Sequence, residues 1–359
     1  MPNTVIAPLP TRILVTGGTG FIGGHLCQRL LSAGHELTVL DLHPKTSAPS
    51  GVRFIRGDVR DARVVGEAIS GCEAVLHLAA AHHDAGIAEQ TYYDVNVGST
   101  DVLVRAMQAQ GIRRICFYSS AAVYGSATFA RDERNAPAPD SHYGTSKWQA
   151  EQRLHAAVQE GAIDALIIRP SVTFGPNNFA NMYSLIRQID SGLYFQVGAG
   201  SNIKSLSYVE NLCDFTIWAW ERLGSGIDVF NWVEAPDLTS AQIGEKLAAA
   251  LGRTSSSPRL PLNVALALAL PFEWASAVAG RVLPISRARV RKLAMDQTQF
   301  SSTKAREAGF VPAVSIDDAI HRTVSWYQRV GKSSTREMRL PPEMQPVFEP
   351  LELQIGSAA

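Results

Sequence analysis

Eight residues, Thr16-Gly-Gly-Thr-Gly-Phe-Ile-Gly23, join a short β-rich run to a helical one, and few folds accommodate such a joint. Arg12–Thr16 reads as a strand. Phe21–Ala33 repeats apolar residues at helical spacing, and Gly34-His35 closes it as a C-cap. Gly17 and Gly20 let the backbone turn tightly and come close to a diphosphate, while Gly23 permits close helix–sheet contact. The N–H groups and positive dipole end of the helix, where Phe21 and Ile22 sit, would hold the anion. Asp41 ends the next strand eighteen residues after Gly23. A carboxylate there accepts hydrogen bonds from ribose hydroxyls and repels a 2′-phosphate, which points to NAD rather than NADP. The plainer reading of Asp41 is a strand-end turn residue.

The first half alternates short apolar runs with helical stretches. Glu36–Leu40, Val52–Ile55, Ala74–Leu78, Arg114–Tyr118 and Ala165–Ile168 read as strands. Helical candidates lie near Arg60–Ile69, Tyr92–Gln110 and Tyr143–Glu160. Strands apolar on both faces, alternating with helices, predict an α/β fold with a doubly wound parallel (Rossmann) sheet. After Pro170 the pattern loosens: Met182–Ser191 is helical, Gly198–Ser205 a polar loop, Asp228–Val233 a strand and Ser240–Leu251 an amphipathic helix. The expected organisation is an NAD-binding domain over 1–176 and 205–235, and a smaller mixed substrate lobe over 177–204 and 236–330. Residues 331–359, with four prolines, read as a poorly folded tail.

Composition removes other classes. At 46% apolar and 18% charged, the 359 residues are globular. Thirty-three basic residues cancel thirty-three acidic ones, so no global field exists to hold a nucleic-acid backbone. Cys27, Cys72, Cys116 and Cys213 lie far apart, which argues against a zinc site or disulfide framework and for a reducing, cytoplasmic setting. No metal ligand set is expected. Neither a signal peptide nor eighteen uninterrupted apolar residues is seen.

Gly17-x-x-Gly20-x-x-Gly23, Asp58-Val59, His77-Leu-Ala-Ala80, Asn96, Ser119-Ser120, Tyr143-x-x-x-Lys147 and Arg169-Pro170 occur in one order and spacing. In this the chain resembles the extended short-chain dehydrogenases/reductases over roughly residues 11–325. The resemblance implies that Asp58, Val59, Leu78, Ala79, Ala80, Asn96, Tyr143, Lys147 and Pro170 join the glycine turn around NAD. It implies Ser120, Tyr143 and Lys147 as catalytic residues. Four residues apart on a helix, Tyr143 and Lys147 share a face. An ammonium there stabilises phenolate, so that Tyr143 can take a hydroxyl proton while hydride leaves the same carbon. Ser120 would hydrogen-bond the reacting oxygen. Taken alone, Tyr143 and Lys147 would read as a surface pair. Family dehydratases carry Asp-Glu after the active-site Ser/Thr, and here Ala121 and Ala122 stand instead. Elimination lacks its acid and base, which leaves oxidation and reduction at one carbon.

Leu78-Ala-Ala-Ala-His-His-Asp84, Tyr92-Tyr-Asp-Val-Asn96, Asn181-Met-Tyr183, Gly198-Ala-Gly-Ser-Asn-Ile-Lys-Ser205 and Thr298-Gln-Phe300 resemble a bacterial branch of sugar 4-epimerases. That branch includes epimerases of undecaprenyl-diphosphate-linked N-acetylglucosamine. The implied activity is carbon-4 epimerisation of a diphosphate-linked hexose or N-acetylhexosamine through a 4-keto intermediate, for surface polysaccharide synthesis. His82, Asn181, Lys204 and Arg291 are the implied substrate contacts. Lys204 stands where the family commonly has arginine, and cannot offer a bidentate fork. Tyr92, Tyr93 and Trp148 read as packing residues. Family members are often dimers through a four-helix contact, so a homodimer is an implied partner arrangement.

Two other functions stay open. One is a hydroxysteroid-type NAD-dependent dehydrogenase acting on a hydrophobic alcohol; the other is a non-catalytic dinucleotide-binding regulator. Between Pro261 and Gly280 the only charge is Glu273, and Arg281, Arg287, Arg289, Arg291 and Lys292 come after it without an acid. Such a segment, 261–292, reads either as a buried helix beside a solvated basic cluster or as a peripheral contact with the inner face of the cell membrane.

Overall fold

The computed structural model describes residues 10–43, 50–82, 87–126, 129–253, 259–279, 287, 290 and 298–334, with side chains described to 271 in the fifth stretch. Strand Arg12–Thr16 (β1) runs through the glycine turn into helix Phe21–Ser32 (α1). The predicted C-cap forms a Schellman closure. Gly34, at φ +89°, donates its N–H to the Leu31 carbonyl, and His35 donates to that of Leu30. Strands Glu36–Asp41 (β2) and Arg53–Arg56 (β3), helix Ala62–Ile69 (α2) and strand Ala74–His77 (β4) come next.

Beyond them lie helix Glu89–Tyr93 (α3), a π-helical turn Asp94–Gly98 and helix Ser99–Gln110 (α4), where the sequence predicts one helix. Strand Arg114–Tyr118 (β5), helix His142–Gln159 (α5) and strand Asp164–Pro170 (β6) complete the alternation. The second half holds short strands Val172–Phe174 (β7), Gln196–Val197 (β8), Ile203–Lys204 (β9) and Leu206–Tyr208 (β10), with helices Asn181–Asp190 (α6) and Val209–Glu221 (α7). Strand Ile227–Trp232 (β11) returns to the main sheet. Strand Leu238–Thr239 (β12), helix Ser240–Ala250 (α8), strand Arg259–Leu260 (β13) and helix Leu262–Ala279 (α9) lie beyond it.

Seven parallel strands in the order β11-β6-β5-β4-β1-β2-β3 form the sheet the sequence predicts. Strand alternation then sorts side chains to two faces. Ile13 and Val15 join Leu26 and Leu30 of α1 and Phe215 of α7 on one side. Leu14 and Val75 join α2, α4 and α5 on the other through Val65, Leu103 and Leu154. A third core packs α6 and α8 against helix 316–329 through Ile186, Leu247 and Ile320.

The stretch expected as the polar loop Gly198–Ser205 contains β9, which pairs antiparallel with β12 and bridges to Thr298. Its partners lie far along the chain, so no local pattern announces the pairing. In α9, Ala265 and Ala269 are buried while Val264, Leu268 and Leu270 are exposed. Arg281, Arg289, Arg291 and Lys292 fall outside the described residues. Among the described residues no helix is long and apolar enough to cross a membrane.

The face under α7 carries an extended aromatic cluster, with the Phe215 ring stacked 4.7 Å from Trp232 and edge-on to Phe230 and Phe310. Phe215→Ala should destabilise the protein by about 3–5 kcal/mol, measured as a fall in the urea midpoint, because the rings around it cannot collapse into the void.

Candidate active site

A cleft of about 2350 Å³ opens along the carboxyl ends of the strands, where parallel sheets of this kind take their ligands. Its floor is the glycine turn. Gly17 sits at φ +72°, and a Cβ on it would lie 2.7 Å from the Ala79 nitrogen; a Cβ on Gly23 would lie 2.3 Å from the Gly17 carbonyl. Only hydrogen fits at either place. Gly20 caps α1 with no side-chain hydrogen bond, and no acidic residue occupies the first turn, so the positive helix end faces the cleft without an anion of its own. Asp41 leans on the same turn: its carboxylate accepts from Thr19 N at 3.0 Å and from His43 N at 3.1 Å.

The predicted residues converge on this cleft. Gly17, Gly20, Phe21, Ile22, Gly23, Asp41, Asp58, Val59, Leu78, Ala79, Ala80 and Pro170 line it, as do Ser120, Tyr143 and Lys147. Asp58 also carries a forked pair with Arg60, at 2.6 Å to Nη2. Asn96 is placed differently. It is buried behind the wall, not among the lining residues, and its amide accepts from Ala81 N at 2.8 Å and donates to Ala81 O and Ser146 Oγ. The π-helical turn aims it there. Of the expected substrate contacts, His82, Asn181 and Lys204 line the cleft, and Arg291 lies outside the described residues.

Lys147 is buried within α5 with its ammonium 4.4 Å from the Phe117 ring centroid. Burial lowers its pKa from 10.5 to about 7, with Glu151 one turn away pulling it back up. His77 lies beneath, its ring hydrogen-bonded to Thr16 Oγ1 at 2.7 Å and Ser99 Oγ at 3.2 Å. Burial first, and then the charge of Lys147, push His77 down to about 3, so it stays neutral. Tyr143 is half-buried, its ring edge-on to Tyr92 at 6.4 Å. Ser120 caps a 3₁₀ turn Ala121–Tyr124, its Oγ accepting from Ala122 N at 3.1 Å.

Behind these groups a buried ion pair joins Arg169 to Glu151, with Arg169 Nε 2.9 Å from Oε1. Arg169 also donates to Tyr124 OH at 2.7 Å, and Tyr124 donates to Asn231 at 2.9 Å. One guanidinium thus fastens α5, the Ser120 turn and the end of β6.

Several contributors are not apparent in the sequence. Gly144 lets α5 touch the Ser120 turn, since a Cβ there would stand 2.4 Å from Ala122 O. Ser146 ties Asn96 to the Tyr143 carbonyl. Their small size inside the Tyr143–Lys147 spacing is the one local signal of these roles. Thr19, Ser119 and Thr298 each bring a buried hydroxyl without a hydrogen-bond partner to the cleft lining. The orphaned hydroxyls of Thr19 and Ser119, an uncapped helix end and a rim carboxylate fit a dinucleotide across the turn.

Comparison with known proteins agrees with the geometry. The pattern of the NAD dependent epimerase/dehydratase family matches residues 13–231. The chain belongs to that family. It is 34% identical over 316 residues to the N-acetyl-α-D-glucosaminyl-diphospho-ditrans,octacis-undecaprenol 4-epimerase of Escherichia coli O157:H7, covering 88% of this chain and 94% of that one. It is 27% identical to the UDP-glucose 4-epimerase of Vibrio cholerae, over 88% of this chain and 95% of that one. The crystal structure of the Thermus thermophilus UDP-glucose 4-epimerase in complex with NAD superposes with a TM-score of 0.71 at 22% identity, covering 89% of this chain and 99% of that one. This family member is an NAD-dependent enzyme.

Two measurements probe the site's construction. In the unfolded chain Lys147 keeps its ordinary pKa, so between pH 7 and 10.5 that state holds a proton the folded state has released. Lysine burial therefore costs less as pH rises. The stability gap between Lys147→Met and the native ligand-free protein should narrow across this window in urea titrations. Glu151→Ala strands a buried guanidinium and should cost about 3–5 kcal/mol, much of it recovered in the double variant Glu151→Met with Arg169→Met.

Proposed function

We propose that this enzyme is a sugar 4-epimerase acting on a diphosphate-linked hexose or N-acetylhexosamine. The observation that carries the reading is the gathering of Ser120, Tyr143 and Lys147 in one cleft with the glycine turn, while Ala121 and Ala122 supply no second acid or base. Residues of the glycine turn, with Asp41 and Pro170, would hold NAD. Bound there, NAD would supply the hydride acceptor and donor for oxidation and reduction at carbon 4.

The chain's own groups manage the proton. Tyr143, as phenolate, removes the C4 hydroxyl proton and later gives it back. The Lys147 ammonium, one helical turn away, stabilises that phenolate. Ser120 donates a hydrogen bond to the reacting oxygen, which carries increasing negative charge as the ketone is reduced. Inversion requires the sugar ring to present its other face while its anomeric end stays tethered. Lys204, on β9, is suited to hold the diphosphate through charge, and His82 and Asn181 lie at the same cleft to meet the sugar. A cytoplasmic enzyme of surface polysaccharide synthesis fits these roles.

Incubation with UDP-linked and polyprenyl-diphosphate-linked N-acetylglucosamine should equilibrate at least one with its galacto isomer without net NADH. Sustained NADH with a stable keto product would instead mark a dehydrogenase of hydrophobic or sugar alcohols. Tyr143→Phe should lower turnover by about a thousandfold with NAD still bound, and Ser120→Ala by about tenfold to a hundredfold.

A further inference from the structure

The cleft does not end where the sugar and diphosphate would. Its lining continues onto a wall made by the segment before β8, by β13 and by the first turns of α9. β8 and β13 pair in parallel, Val197 opposite Leu260, and Leu193, Phe195, Ala265, Leu268 and Ala269 all line the same cleft. Leu193 is 70% exposed, Leu268 57% and Phe195 49%. Single exposed apolar residues are ordinary, but three large ones on the wall of one ligand cleft form a surface that water wets poorly. The polar groups of this wall are engaged with each other. Tyr194 OH donates to Gln196 Oε1 at 2.7 Å, and Gln196 Nε2 donates to Val197 O at 3.2 Å.

We infer that this wall is a subsite for the hydrocarbon carrier of the substrate, and that it takes the first isoprene units of a polyprenyl diphosphate. The inference rests on the epimerase reading above and adds the carrier's chemistry. A substrate with its sugar at Tyr143 and its diphosphate near Lys204 must lay its carrier along the remaining length of the cleft. A nucleoside there would need partners for base edges and ribose hydroxyls. An isoprenoid needs only apolar area, which Leu193, Phe195, Leu260 and Leu268 supply. The wall is continuous with the reacting centre, so the ligand end that covers it belongs to the molecule already in the site.

The test is calorimetric binding to the NAD-loaded protein of N-acetylglucosaminyl diphosphates that carry a methyl group or a ten-carbon isoprenoid, too short to form micelles. The isoprenoid compound should bind at least about tenfold more tightly, since even partial burial of ten carbons exceeds that gain. In Leu268→Asn and Phe195→Asn, exposed positions where folding should persist, the ratio between the two ligands should fall below about threefold. Equal affinities in the native protein, or ratios unchanged in both variants, would overturn the subsite. So would a chain-length effect seen only when phosphatidylglycerol vesicles are present, which would assign the wall to a bilayer instead. Epimerisation of the same compounds is scored separately. Binding that grows with chain length but produces no galacto isomer would retain the subsite and reject the epimerase reading.

Discussion

An ammonium held out of water sets the terms for the rest of this molecule. Lys147 is buried on α5 above a neutral histidine, and the Glu151 carboxylate and the face of the Phe117 ring both favour its charge. Glu151 is itself buried and neutralised by Arg169. Removing charge from water in this way is costly, and it is offset where Arg169 pairs with Glu151 and donates a further hydrogen bond to Tyr124. The arrangement leaves a lysine near the threshold of ionisation one helical turn from Tyr143.

The same guanidinium that answers Glu151 reaches Tyr124, in the turn that Ser120 begins, and precedes Pro170 on the cleft wall. Three chain segments separated by tens of residues are therefore held by one planar fork. Asn96 does comparable work, fastening the segment after β4 at Ala81 to Ser146 and through it to the Tyr143 carbonyl. Tyr143 and Lys147 on α5 are thus braced from two directions by side chains that do not line the cleft.

Much of this is legible without coordinates. The strand, glycine turn and helix are local signals: β1 and α1 begin where the apolar periods and glycines place them, and the seven-strand parallel sheet arises from apolar runs alternating with helices. The residues predicted around the glycine turn line one cleft for the same reason, since a parallel sheet brings all its strand ends to one edge. Pairing at a distance cannot be read locally. β9 has the composition of a polar loop because its partners are β12 and Thr298, and Arg169 and Glu151 give no hint of each other across eighteen residues. Asn96 belongs to a motif many of whose members line the cleft, whereas Asn96 itself, in the π-helical turn, is buried in the wall.

That turn has a consequence for how the chain tolerates change in length. An α-helix advances about 100° per residue, so the widened ring at Asp94–Gly98 takes up one residue more than a regular turn would. Loss of Asp94 would let the helix tighten toward its usual pitch, and the change of phase, about 100°, would swing the Asn96 carboxamide off Ala81 and Ser146. The segment is therefore a phase-setting spacer: one deletion ahead of Asn96 would release both the segment after β4 at Ala81 and α5 at Ser146.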